Sequence, residues 1–150
     1  MLKKKFAHVV AAVVVGLASL LVAADPARAD VVVSPGGYGH VCSGYSTIQS
    51  QIKWQTCAWA DNNEVYFTVN FSNASSTGLF VDDIIVGRVR NGSWSSCLTL
   101  VNFYAPANSN SSTPTGLCAY SRSQAAYQAD SYVSEGSYAA WLQSDSLQVQ

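Results

Sequence analysis

The amino-acid sequence predicts an all-β protein: a disulfide-stabilised antiparallel β-sandwich, with the immunoglobulin arrangement as one candidate topology, preceded by an extended N-terminal segment. Three observations carry that expectation. Apolar side chains recur at every second position over much of the chain, which is the period of a half-buried strand. Clusters of Asn, Asp, Gly and Ser interrupt those runs at intervals suited to a sheet protein. All four cysteines, Cys42, Cys57, Cys97 and Cys118, lie beyond a leader-like N-terminus, as in small exported domains held by disulfides.

The leader comes first. Lys3, Lys4 and Lys5 precede an apolar run from Phe6 to Ala24, and Ala27 and Ala29 occupy the two small-residue positions of a cleavage site. That pattern predicts a secretory signal peptide over residues 1–29, cut between Ala29 and Asp30. A retained membrane anchor is the alternative, since the run is long enough to span a bilayer, but the Ala-x-Ala site favours cleavage. The expected organisation is therefore a signal peptide (1–29), an extended segment (30–41) and a sandwich domain (42–150), with the mature protein extracellular and off the membrane. Four basic residues remain after cleavage, Lys53, Arg88, Arg90 and Arg122, against eight acids. With no basic patch, neither nucleic acid nor an anionic membrane is an expected partner.

The mature chain opens on Val31, Val32 and Val33, followed by Ser34-Pro35-Gly36-Gly37, Tyr38 and His40. Three valines have strong strand preference but cannot form a strand alone. Two readings stand at this point: an edge strand of the domain's own sandwich, or a strap that adds to a groove or sheet edge of a partner. In the second, Val31, Val32, Val33, Pro35, Tyr38 and His40 are the partner-binding residues, released by the Pro-Gly-Gly hinge.

The body then alternates. Ile48, Ile52 and Trp54 oppose Gln49, Gln51, Lys53 and Gln55; Val65, Phe67, Val69 and Phe71 oppose Glu64, Tyr66, Thr68, Asn70 and Ser72. Asp61-Asn62-Asn63 is the turn between these strands. Further strands are expected at Leu79 to Val81, Ile84 to Arg90, Leu98 to Tyr104, Cys118 to Arg122, Ala125 to Val133 and Tyr138 to Val149, with turns at 73–78, Asn91-Gly92 and Glu135-Gly136. Residues 123–133 admit a helix, but their Tyr, Ser and Val content favours strand. Four cysteines allow three pairings. The sequential one, Cys42–Cys57 and Cys97–Cys118, closes two local loops and is favoured, at roughly 2–4 kcal/mol for each bridge. Trp54 or Trp59 would pack near the first bridge. Zinc is disfavoured by export and by the lack of a Cys-x-x-Cys pair.

Residues capable of chemistry are sparse. His40 is the one histidine of the mature chain and no Gly-x-Ser-x-Gly elbow accompanies it, so no catalytic residue, metal or cofactor is expected. Asp61 to Glu64 reads as a turn in preference to a weak calcium site. Asp82 and Asp83 are adjacent, so their carboxylates point apart along a strand and are expected to keep a strand edge soluble. The Asn-x-Ser sequons at Asn70, Asn73, Asn91 and Asn110 read as chance in a bacterial-style exported chain. The polar, Pro-punctuated stretch from Tyr104 to Cys118 reads either as a recognition loop pinned by a disulfide or as a plain connection.

The leader, the small β-rich body with paired cysteines and the extended mature N-terminus together resemble the small adaptor subunit of the actinobacterial umbrella toxin particles. In that family a small secreted protein bridges a lectin-type propeller subunit to a repeat-bearing toxin subunit. The resemblance implies that Asp30 to Tyr38 is a strap lying in a groove of the toxin subunit, and that the domain holds the propeller. The expected function is thus a secreted, non-enzymatic adaptor joining other secreted proteins in an antibacterial toxin-type assembly. Two alternatives remain. One is a protease inhibitor presenting Leu117; the other is a carbohydrate-binding module using exposed aromatics such as Tyr66, Tyr104 or Tyr138.

Overall fold

The strand that alternates most cleanly in sequence sets the geometry of the whole. In β5 (Glu64–Asn73), Val65, Phe67, Val69 and Phe71 are buried, and Glu64, Tyr66, Asn70 and Ser72 lie on the other face. The computed structural model describes residues 30–150, so the expected signal peptide lies outside the described residues. These form two six-stranded sheets and almost nothing else.

Sheet B is built on the hairpin of β4 (Ile52–Ala60) and β5, joined through the Asp61–Asn63 turn. On the far side of β4 lie β2 (Gly39–Cys42) and β3 (Ser46–Gln49). On the far side of β5 lie β8 (Ser109–Ser112) and β9 (Ala119–Ser121). Sheet A runs from β1 (Val31–Val33) through β12 (Leu147–Val149), β10 (Ala125–Glu135) and β6 (Leu79–Arg90) to β7 (Ser93–Ala105), with β11 (Tyr138–Gln143) beside β12 on β10. The Asn91-Gly92 turn between β6 and β7 has positive φ at both residues, 48° and 81°, as a two-residue hairpin turn requires.

The fold is thus the predicted all-β sandwich with both sequential disulfides, Cys42–Cys57 and Cys97–Cys118. Its long hairpins pair β4 with β5 and β6 with β7, each strand with its immediate successor. Cys42–Cys57 lies within sheet B, joining directly opposed residues of β2 and β4. The second bridge crosses between sheets: Cys97 belongs to β7, whereas the Cys118 carbonyl accepts from Phe67 N in β5.

The interior is closed around Trp54, Phe67, Phe71, Ile84 and Tyr127. Among the described residues it holds no charged side chain, and every buried side-chain N or O has a partner. Two polar links cross it. Thr56 Oγ1 in β4 lies 2.7 Å from Ser131 Oγ in β10, and Trp54 Nε1 donates to Tyr138 Oη of β11 at 2.7 Å.

Several boundaries depart from the sequence reading. Ser50-Gln51 is a turn, so Ile48 and Ile52 belong to two paired strands, β3 and β4. Residues 79–90 form one strand. The expected final strand is broken because Ser144 turns inward, its Oγ accepting from Ala129 N. Asp82 and Asp83 do not guard an edge: β6 is an inner strand, and both carboxylates are exposed, accepting from Gly136 N and Ser134 Oγ respectively. The Tyr104–Cys118 stretch is not a free loop either, because β8 within it pairs with β5 and Thr113 bonds to the Val69 backbone through both N and Oγ1.

The largest correction concerns the opening valines. Val31–Val33 pair in parallel with Leu147–Val149, and Val33 is 1% exposed within the core. A Cβ at Gly39 would collide with the Val33 side chain, so that glycine is what lets β2 close over it. The guanidinium of Arg122 then fastens the segment, donating to the carbonyls of Val33, Ser34, Gly37 and Asp61. The segment is therefore an edge strand of its own sandwich and not a detached strap, and the sandwich starts before Cys42. Loss of those charge-assisted bonds in Arg122→Ala should cost about 2 kcal/mol, a fall in Tm of roughly 5–10 °C. Deleting 30–37 should cost more, since it also removes the buried Val33. Calorimetry finding either variant as stable as the parent would contradict this packing.

Candidate functional site

Both outer faces of the sandwich carry aromatic side chains. On sheet A the register places Trp141 opposite Tyr132, and Trp94 stands on the edge strand β7, with β6 between it and β10. The Trp94 and Trp141 rings meet edge to face at 6.0 Å, and Tyr132 tilts against Trp141 at 5.3 Å. Trp94 and Trp141 remain 47% and 52% exposed. A Cβ at Gly87 would stand 2.6 Å from both Asp130 O and Trp94 Nε1, so the indole can lie across the sheet only because position 87 is glycine. Together Trp94, Asp130 and Trp141 enclose a depression of about 460 Å³. Phe80 and Tyr104, 4.8 Å apart, are exposed further along β6 and β7.

On sheet B, Trp59 in β4 and Tyr66 in β5 are directly opposed. Their rings stack at 3.9 Å with planes 13° apart, and Tyr38 leans on Trp59 at 6.2 Å. The Tyr66 hydroxyl donates to Glu64 Oε2 at 2.7 Å and Asp61 Oδ2 at 3.0 Å, which fixes the ring under the indole. Hydrogen bonding to Glu64, then burial and Asp61, push the Tyr66 pKa well above its usual value. Asp61 moves the other way: the N–H groups of Asn63 and Glu64 hold its pKa below 3.8. Asp61 to Glu64 is accordingly a turn, its carboxylate engaged by its own backbone.

The sequence-derived candidates are dispersed by this arrangement. Val33 is in the core, Val31 is half-buried, and Val32 and Pro35 are exposed. Tyr38 and His40 alone among them come together, beside Trp59 in a shared depression. His40 Nε2 lies 3.2 Å from Cys42 Sγ. His40, Cys42 and Cys57 have metal-ligand spacing, but the two sulfurs are bonded to each other and offer no thiolate. Leu117, the residue an inhibitor would present, is exposed in a short 3-10 turn, Thr115–Leu117. Tyr138 is structural, its hydroxyl accepting from Trp54 and meeting Ser46 Oγ at 2.7 Å. Trp94, Trp141 and Trp59 were missed as surface residues. Trp94 lay outside the expected strands, but Trp141 could have been found from its alternation with the β11 residues that face inward.

No protein-family model, curated protein or solved structure matches the chain, so the geometry alone carries the reading of these faces. Since the folded-state pKa of Asp61 is lowered, the stability it contributes is present above its unfolded value and is lost as pH falls through the folded one. Asp61→Ala should therefore unfold at lower temperature than the parent at neutral pH, with the gap narrowing below pH 3.8. Thermal scans across that range test this; a gap that stays constant into strong acid would refute the role given to the turn.

Proposed function

We propose that the protein is a secreted, non-enzymatic interaction module: an adaptor that joins other secreted proteins, in an assembly of the antibacterial toxin type. The observation that carries this reading is the aromatic patch on sheet A. Trp and Tyr are the residues that anchor protein interfaces, because they bury a large area at small entropic cost and keep a polar tip. Here two half-exposed indoles and a tyrosine cluster over a rigid sheet. Both bridges leave no free cysteine among the described residues, and no helix there is long and apolar enough to cross a membrane; both facts suit an exported module.

The aromatic groups on the two sheets face away from each other, so one partner on sheet A leaves the other face open. That separation supports a bridging role. With the layout of the umbrella-particle adaptor, the partners would be a repeat-bearing toxin subunit and a lectin-type subunit. Contact through the N-terminal segment then falls to what it exposes, and among the candidate residues those are Val32, Pro35, Tyr38 and His40.

The test is purification of tagged protein from its native culture supernatant, alongside Trp94→Ala/Trp141→Ala. The parent should bring down secreted proteins in stoichiometric amount. The double variant should lose one of them, with affinity down at least tenfold and Tm within a few degrees. Absence of any stoichiometric partner, or retention of all of them by the variant, would overturn the proposal.

A further inference from the structure

The outer face of sheet B has a chemistry unlike that of sheet A. Three adjoining depressions, of about 200, 320 and 390 Å³, run across it between β2, β4, β5 and β8. The first two share Asn70 and Ser112; the second and third share Asn110. They form one shallow trough along β5 and β8, and Thr68 to Ser72 alone gives it about 13 Å of length. One end is walled by Tyr38 and Trp59, and Tyr45 stands farther along. Beside these aromatics the lining is the His40 imidazole together with hydroxyls and amides, chiefly Asn70, Asn110 and Ser112. No Asp, Glu, Lys or Arg lines any of the three depressions.

We infer that this trough binds a neutral polysaccharide chain. A sugar ring presents an apolar C–H face and a rim of hydroxyls that both donate and accept. The trough offers the complement of each. Tyr38, 70% exposed, supplies a face for the C–H surface, with the half-buried indole of Trp59 beside it. The Asn70 and Asn110 amides and the Ser112 hydroxyl supply mixed donors and acceptors. The platform is built in advance: Tyr66 backs Trp59 at 3.9 Å and is itself held by two carboxylates, while Asn70 Nδ2 is fixed on Cys57 Sγ at 3.2 Å. Preorganisation of this kind lowers the entropic cost of weak, repeated contacts. The lack of charged groups in the lining disfavours an anionic chain or an ion-paired peptide.

The experiment is affinity electrophoresis of the disulfide-bonded protein through gels containing hydroxyethyl-cellulose, xylan, glucomannan, soluble starch or, as an anionic control, polygalacturonate. At least one neutral polymer should retard the parent. Tyr38→Ala, a change on an exposed ring, and Asn70→Ala should each weaken that retardation at least tenfold without altering far-ultraviolet circular dichroism and with Tm within a few degrees of the parent. Trp94→Ala/Trp141→Ala should leave it unchanged, which separates this site from the protein-docking face. Retardation by polygalacturonate alone, by no polymer, or to the same extent in parent, Tyr38→Ala and Asn70→Ala would overturn the inference. So would loss of a bound protein in Tyr38→Ala with no polysaccharide bound by the parent.

Discussion

The structure depends on one seam, where β4 of sheet B faces β10 and β11 of sheet A across the core. Trp54 fills it, and two hydrogen bonds register it: Thr56 to Ser131, and Trp54 to Tyr138. A polar group buried without a partner costs about 1–3 kcal/mol, so sliding one sheet over the other by a residue would forfeit both links as well as the apolar packing. The same register decides which side chains point outward. With Trp54, Thr56 and Ala58 turned inward, Gln55 and Trp59 take the outer face, where Cys57 is covered; with Ser131 and Val133 inside, the half-buried Asp130 and Tyr132 take the outer face of sheet A. The two aromatic faces are thus consequences of the seam.

The margins of the sandwich are closed by a few specific groups, since the described chain has only four cations with which to make ion pairs. Arg122 gathers four carbonyls from the β1–β2 connection and the Asp61 turn. Arg88 of β6 lies 3.6 Å over the Tyr120 ring of β9, a cation–π contact between the sheets. Cys97–Cys118 ties the edge of sheet A to sheet B nearby. Two of the four cations therefore serve the body of the protein, which leaves the outer faces to aromatic, amide and hydroxyl groups.

Much of this was legible in the sequence, and the reasons are local. Alternation in Val65 to Phe71, the Asp61 turn, the Asn91-Gly92 hairpin and the sequential cysteine pairing all depend on neighbours in the chain. What was not legible depends on distant residues. Nothing near Val31 reveals that Leu147 to Val149 will pair with it, or that Arg122 will cap its exit; hence a composition suited to a loose strap belongs to an edge strand. The pocketing of Val33 beneath Gly39 and the accommodation of Trp94 over Gly87 are likewise tertiary fits, visible in sequence only as two glycines inside strand patterns. For the candidate sites, Tyr38 and His40 are visible in the sequence, but the Trp59 and Asn70 that share their depression come from β4 and β5 and are brought there only by the sheet.

The proposed recognition surfaces are outer faces of the sheets, and the N-terminal segment is part of the scaffold that holds them. The most direct measurement of that assignment is amide hydrogen exchange, resolved by residue, on the exported protein without any partner. Val31 N donates to Ser146 O, and Gln150 N to Val33 O; if β1 is a fixed strand, both amides exchange orders of magnitude more slowly than an unstructured chain. Exchange of both at the rate of free peptide, with β4 and β5 protected, would mean that the valines leave the sandwich on their own and would contradict the account.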